Sequence, residues 1–381
     1  MASDELHAAM AARVDKGEFP GMVTVIARDD DVTVDAIGVT RVGGDEPMRR
    51  DTPFRIASMT KPVVAAATMA LVEDDLLDLE EPIYRLLPEL EGQRVLRAYD
   101  AELDDTVARK RQVTVQDLLT FRLGYGMIVE PDFDPPVPVV RRALELDLMF
   151  GPPEPRSPFG VDEWVRRFAS LPLIAQPGEK WMYNTGSLVL GALISRATGQ
   201  PLGQVLAERL FEPLGMTHTG FSLPAELAER LPVQYLSRDE TGELQENPAT
   251  TPDQWLAEPP CPSGAGGLAS TADDFLAFAR MLLNGGVHGG TRVLSAHSVQ
   301  LMTTNHLTPE QIASGGQLLG GAGWGFGMAV EASGRYGWSG GYGTDWFNDP
   351  GERLIAIGLT QVSDFLWGGA MTEFIALAGK S

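Results

Sequence analysis

A serine and a lysine stand three residues apart in Phe54-Arg55-Ile56-Ala57-Ser58-Met59-Thr60-Lys61-Pro62, at the head of an apolar run from Val63 to Val72. The run predicts a helix to about residue 74. Residues at i and i+3 share one face of a helix, so Ser58 Oγ and Lys61 Nζ can point into the same cavity. A serine hydroxyl is a poor nucleophile at neutral pH and needs a neighbouring base. A lysine can be that base only when burial or nearby charge lowers its pKa. Only five of the 30 basic residues are lysines, and Lys61 is the one set beside a serine at the head of an apolar helix.

The bulk composition narrows the classes of function. A chain of 381 residues is one large domain or two interlocked ones. Its net charge of −22 argues against nucleic acid and against anionic lipid, both of which need a basic surface. The charge is expected to be a solvated acidic surface. No segment has the ~20 apolar residues of a membrane span. The stretch Met1-Ala2-Ser3-Asp4-Glu5-Leu6-His7 lacks a basic region followed by an apolar one, so the expected location is cytoplasmic. The single cysteine, Cys261 in Pro259-Pro260-Cys261-Pro262, excludes an intrachain disulfide and reads as an inert, semi-buried thiol. The five histidines are scattered without metal-ligand spacing, so neither a metal nor a cofactor is expected. The expected partner is a small molecule.

Along the chain, a helix is expected over 5–16 and a hairpin from strands 21–26 and 32–37 around Asp29-Asp30-Asp31. A strand ends near Arg55. Thr114 is placed to cap a helix with Asp117 at its third position. Helices are expected over 162–171, 187–198, 202–210 and 272–283, strands near 325–331, 335–338, 344–348 and 353–360, and a last helix over 366–378. The β segments come from both ends with helices between them. The fold class is therefore α+β, an antiparallel sheet flanked by terminal helices plus an inserted helical lobe. The sheet lobe takes 1–75 and 245–381, and the helical lobe takes 76–244. Residues 128–160 hold eight prolines and read either as a wall or lid over a pocket or as a passive surface insertion.

Ser58-Met59-Thr60-Lys61-Pro62 resembles the nucleophile motif of the serine β-lactamase and penicillin-binding-protein superfamily. Leu77-Asp78-Leu79-Glu80-Glu81-Pro82, Leu86-Leu87-Pro88-Glu89-Leu90 and Val113-Thr114-Val115-Gln116-Asp117-Leu118-Leu119-Thr120 resemble its class C branch. The resemblance extends over nearly the whole chain and implies a β-lactamase/transpeptidase-like fold. It places Tyr183, in Pro177-Gly178-Glu179-Lys180-Trp181-Met182-Tyr183-Asn184-Thr185-Gly186, where relatives carry Tyr-x-Asn. Here the third position is Thr185, which donates one hydrogen bond but lacks the carboxamide that contacts a lactam side chain. Beside a lysine cation, a tyrosine with an ordinary pKa near 10 can act as a phenolate or a proton relay. The alternative for Tyr183 is simple packing at a helix start.

The third motif is Gly337-Trp338-Ser339-Gly340-Gly341-Tyr342-Gly343-Thr344. Where the superfamily carries Lys-Thr-Gly or His-x-Gly on the strand lining the pocket, this chain has Trp338-Ser339-Gly340. A Trp at that position resembles the family VIII carboxylesterases. It removes a cation that docks a carboxylate and offers an apolar face for neutral acyl or alcohol groups; ordinary strand packing is the other reading. The resemblance implies an oxyanion hole from the N–H groups of Ser58 and Gly341. Gly337 to Gly341 also matches Gly-x-Ser-x-Gly, but no histidine follows Ser339 and the following segment reads as a strand, so the nucleophile-elbow reading fails. Ser339 remains a candidate substrate contact. Tyr125, in Leu123-Gly124-Tyr125-Gly126-Met127, is either a substrate contact or a packing residue. Pro262-Ser263-Gly264-Ala265-Gly266-Gly267-Leu268 resembles the pocket-floor loop of the family and lacks the features of a phosphate loop.

The expectation is a serine hydrolase of small carboxylic esters that works through an acyl-enzyme, with Ser58, Lys61 and Tyr183 as its catalytic set. Three alternatives use the same chemistry: β-lactam hydrolysis, D-amino-acid peptide or amide hydrolysis, and acyl transfer to an acceptor other than water. A catalytically silent binding protein of the same fold is the alternative outside enzymes.

Overall fold

The computed structural model describes residues 2–127, 136–148, 157–238 and 242–380. Its centre is a seven-stranded antiparallel sheet. The strands are β1 (Gly21–Arg28), β2 (Asp31–Gly38), β3 (Gly323–Trp324), β4 (Ala329–Val330), β5 (Tyr336–Gly340), β6 (Thr344–Asp349) and β7 (Leu354–Thr360). They lie in the order β3-β4-β5-β6-β7-β1-β2. The two ends of the chain thus meet where β1 pairs with β7, Val23 opposite Leu359 and Val25 opposite Ile357. The β1–β2 hairpin turns at Asp29 with φ 49, a left-handed conformation that Asp tolerates better than most residues. Every residue of β7 is buried, which fits its near-continuous apolar sequence and the cover on both faces.

Strand alternation sends successive side chains to opposite faces. On one face Met22, Phe347, Leu354 and Ala356 pack with Leu6 of helix α1 (Ala2–Asp15) and Phe374 of the terminal helix α5 (Ala370–Ala378). On the other face Val23, Val25, Trp346 and Ile357 share a core with α2 (Thr60–Glu73) and α4 (Ala272–Leu283), where Phe275 meets Trp346 edge-on at 5.4 Å. Residues Thr60 to Leu71 of α2 are all buried. A helix apolar on all sides is a core helix, and α2 packs against the sheet face and against α3 (Thr185–Thr198).

The fold class follows the expected one, and so do the strand positions except near 325–331, where the chain forms two short strands, Gly323–Trp324 and Ala329–Val330, on either side of a turn at 325–328. Element ends differ in places. Helix α3 begins at Thr185 rather than 187, directly after Asn184 at φ 84. The last helix begins at Ala370, because a separate turn at Ser363–Leu366 and Gly369 at φ 81 interrupt the chain first. The expected Thr114 cap is present: its side chain accepts from Asp117 N while the Asp117 carboxylate accepts from Thr114 N. Of 128–160, a helix at Pro138–Glu145 is described. The reading of that insertion as a wall or lid falls in part on residues 128–135 and 149–156, which lie outside those described. Among the described residues no helix is long and apolar enough to cross a membrane.

Candidate active site

The chain enters the site on a short strand, Phe54–Arg55, paired with Ala269–Ser270. It then turns at Ala57, whose φ of 43 is rare for a residue with a β-carbon and marks a tight, strained reversal. Ser58 sits in the 3₁₀ turn Ala57–Met59, and the α-helix proper starts at Thr60. In 3₁₀ geometry residues i and i+3 eclipse, which keeps Ser58 and Lys61 on one side. Their side chains meet: Lys61 Nζ lies 2.8 Å from Ser58 Oγ and donates to the Ala265 carbonyl at 2.6 Å. Lys61 is 1% exposed. Burial pushes it well below the ordinary lysine range. The face of the Tyr183 ring lies 4.5 Å from Nζ. Burial thus favours the free amine, whose lone pair would stand beside the serine hydroxyl.

Tyr183 arrives from the other side, just before α3. A Pro177-Gly178 turn brings the chain round, with Gly178 at φ 81. The Tyr183 carbonyl accepts from Met127 N at 3.0 Å, and a β-carbon on Gly126 would stand only 2.6 Å from that same oxygen. Its ring packs among Phe121, Trp181 and Trp338 at centroid distances of 5.8, 5.7 and 5.5 Å. Burial pushes the phenol up to about 12, while hydrogen bonds with Ser58 and Trp338 pull it back. A neutral phenol bonded to Ser58 favours the proton-relay reading of Tyr183 over the phenolate one.

Trp338 shows what the sequence reading missed. Its indole Nε1–H donates to the Tyr183 hydroxyl at 2.9 Å. Expected as an apolar face, it also serves as a hydrogen-bond donor to Tyr183. An indole always carries one N–H, and a buried one usually finds a partner; that was the available signal. Gly341 follows β5 in the loop to β6. The loop abuts the turn that carries Ser58: a β-carbon on Gly340 would lie 2.3 Å from the Ile56 carbonyl, and Thr344 Oγ1 donates to that carbonyl at 3.3 Å. The first N–H groups of a helical turn have no carbonyl partner within it, and the Ser58 N–H is one of these.

The remaining candidates separate. Thr185 is the first residue of α3 and is buried. Tyr125 packs edge-on against Phe168 at 5.2 Å, and burial pushes its hydroxyl up. Ser339 departs from the expected substrate contact. As Trp338's neighbour on a strand it faces the opposite side of the sheet, where its hydroxyl donates to Asp345 Oδ1 at 2.7 Å and lies 3.6 Å from Met371 Sδ. Burial pushes the Cys261 thiol up to about 12, too high for a thiolate nucleophile. Among the described residues no group of three His, Cys, Asp or Glu could hold a metal.

Comparison with known proteins places this arrangement. The Beta-lactamase family profile matches residues 6–378, and the chain belongs to that family. It is 38% identical over 370 residues to Protein Rv1367c of Mycobacterium tuberculosis, covering 91% of this chain and 87% of that protein. It is 29% identical over 398 residues to Esterase EstB of Burkholderia gladioli, covering 96% and 94%. Among solved structures, EstCE1, described as a hydrolase with promiscuous acyltransferase activity, superposes with a TM-score of 0.82 at 24% identity over 99% of this chain and 98% of that one.

Proposed function

We propose that the protein is a serine hydrolase of small carboxylic esters. The observation that carries the reading is the buried Lys61 amine 2.8 Å from Ser58 Oγ, its pKa pushed well down by desolvation. Lys61 takes the Ser58 proton as Oγ bonds to the ester carbonyl carbon. The carbonyl oxygen becomes an oxyanion held by the N–H groups of Ser58 and Gly341, a type of contact that contributes about 2.7–4 kcal/mol per donor. The carbon–oxygen bond to the alcohol then breaks, and Tyr183 protonates the leaving oxygen while Lys61 resupplies its proton. Water repeats the sequence on the acyl-enzyme: its proton passes to Lys61, and Ser58 leaves with a proton from Tyr183. Trp338 holds the Tyr183 hydroxyl throughout.

Two points support an ester over a β-lactam. Trp338 stands where a cation would dock the substrate carboxylate, and Thr185 lacks a carboxamide. The similarity to Esterase EstB over 96% of the chain agrees with this. Acyl transfer to another alcohol is the second reading, favoured by the fold shared with EstCE1. Turnover of p-nitrophenyl acetate and butyrate, with nitrocefin in parallel, tests the proposal. The expected result is an ester burst, a mass adduct on Ser58 with an acylating inhibitor and slow or absent nitrocefin cleavage. Faster nitrocefin than ester turnover, or labelling that spares Ser58, overturns it. Adding alcohols to the assay separates hydrolysis from transfer by the ester product formed.

A further inference from the structure

The face of β5 turned away from Ser58 carries a polar pair that the chemistry above does not use. Ser339 and Asp345 are direct partners in the β5–β6 register, beside the pair Gly340–Thr344 at the loop end. Asp345 is 4% exposed. Its Oδ1 accepts the Ser339 hydroxyl at 2.7 Å, the backbone N–H of Trp346 bonds the carboxylate, and Oδ2 has no partner among the described residues. Around it lies the layer between the sheet and α5, where Phe347 and Phe374 pack together and Met371 reaches Ser339. Burial pushes the carboxyl up to about 6, with Arg335 and Glu331 as charged neighbours that act on it in opposite directions. A buried acid is a costly way to pair two strands, because an apolar cross-strand pair would fill the space without desolvating a carboxylate.

We propose that Ser339 and Asp345 are positioning residues for the Ser58 reaction, a clamp that holds the β5–β6 hairpin so that Trp338 and Gly341 stand at their working distances. The neighbours of the pair make the connection. Trp338, before Ser339, bonds Tyr183. Thr344, before Asp345, bonds the Ile56 carbonyl two residues from Ser58, and a β-carbon on Gly340 would collide with the same oxygen. The hydroxyl–carboxylate bond closes the hairpin between these contacts, so its loss lets the loop end shift against the Ser58 turn. Such a shift weakens the interactions made to the developing oxyanion more than those made to bound substrate.

The proposal rests on the acyl-enzyme reading, and wild-type ester turnover is its control. The variants are Ser339→Ala, Asp345→Ala and Ser339→Thr, each with its thermal midpoint measured. Ser339→Ala and Asp345→Ala each remove the bond and should lower kcat by about 10-fold, within the ~100-fold that a 1 Å misplacement costs, with KM changed by less than about twofold. Ser339→Thr keeps the hydroxyl and should restore most of kcat. The double variant should lose no more than the worse single one, because both remove one bond. Unchanged kcat in folded Ser339→Ala and Asp345→Ala, even with a lower midpoint, overturns the proposal and leaves a structural pair. So does failure of Ser339→Thr to recover kcat while folded, or a loss that appears only in KM. Absence of turnover in the wild type overturns the acyl-enzyme reading itself, and the clamp with it.

Discussion

Two hydrogen-bonded pairs meet at the Ser58 hydroxyl, and they are built differently. Ser58 and Lys61 are three residues apart on one turn. Tyr183 and Trp338 are 155 residues apart, one before α3 and the other on a strand. The first pair follows from helical geometry and needs only burial to become chemically useful. The second exists only when the sheet, the helical segments and their aromatic packing are all in place. In the proposed reaction, nucleophile activation is thus local, and handling of the leaving group and oxyanion is assembled from distant chain segments.

Variants of each pair probe that contrast. Ser58→Ala should have the largest effect, a loss in kcat on the order of 10⁶ as for other catalytic serines, with no inhibitor adduct by mass. Lys61→Met should cost about 10²–10⁴ in kcat. Lys61→Arg should be no better, since a guanidinium keeps its proton. Activity of Lys61→Met within tenfold of wild type would move the base elsewhere.

A pH profile reports on the same local pair. Burial lowers the Lys61 pKa, so the reactive free amine dominates above the lowered value and is lost as pH falls through it. The log of kcat/KM should rise with pH to a plateau reached well below 10.5, the ordinary lysine value. The linked stability has the same sign: the unfolded chain binds the lysine proton more tightly, so the folded state gains as pH rises from the folded pKa toward the unfolded one. A rise centred near 10.5 would show that Lys61 is not desolvated.

For the distant pair, Trp338→Phe keeps a ring and removes the donor. One hydrogen bond is worth about 0.5–1.5 kcal/mol, so kcat should fall roughly 3- to 10-fold with the thermal midpoint little changed. The smallest effect belongs to Tyr125→Phe. Its ring contact with Phe168 survives the change, and kcat/KM should stay within about twofold. A larger loss would make the Tyr125 hydroxyl a substrate contact.

Much of the fold was legible in the order of motifs. The expected strands near 335–338, 344–348 and 353–360 lie within a residue or two of β5, β6 and β7. Period-two and period-3.6 patterns are local, so they survive in a bare sequence. The missed features are those in which distant segments act on each other. Ala57 at φ 43 is one, because an alanine carries no mark of a left-handed turn. The Ala265 carbonyl that receives Lys61 is another, since every residue has a carbonyl and only the fold selects this one. Ser339 looked like a pocket residue from its motif, yet the pleat turns it to the far face.

The sequence by itself determined the α+β class, the family resemblance and the pairing of Ser58 with Lys61, because two residues three apart on one helical turn have little conformational choice. Only the tertiary structure decided that the lysine is desolvated and its pKa lowered, since that pKa depends on the solvent that surrounding segments exclude. It likewise decided that Trp338 is a donor to Tyr183 and that Ser339 answers to Asp345. Those contacts depend on strand register and facing, which are properties of the packed sheet rather than of any one stretch of chain.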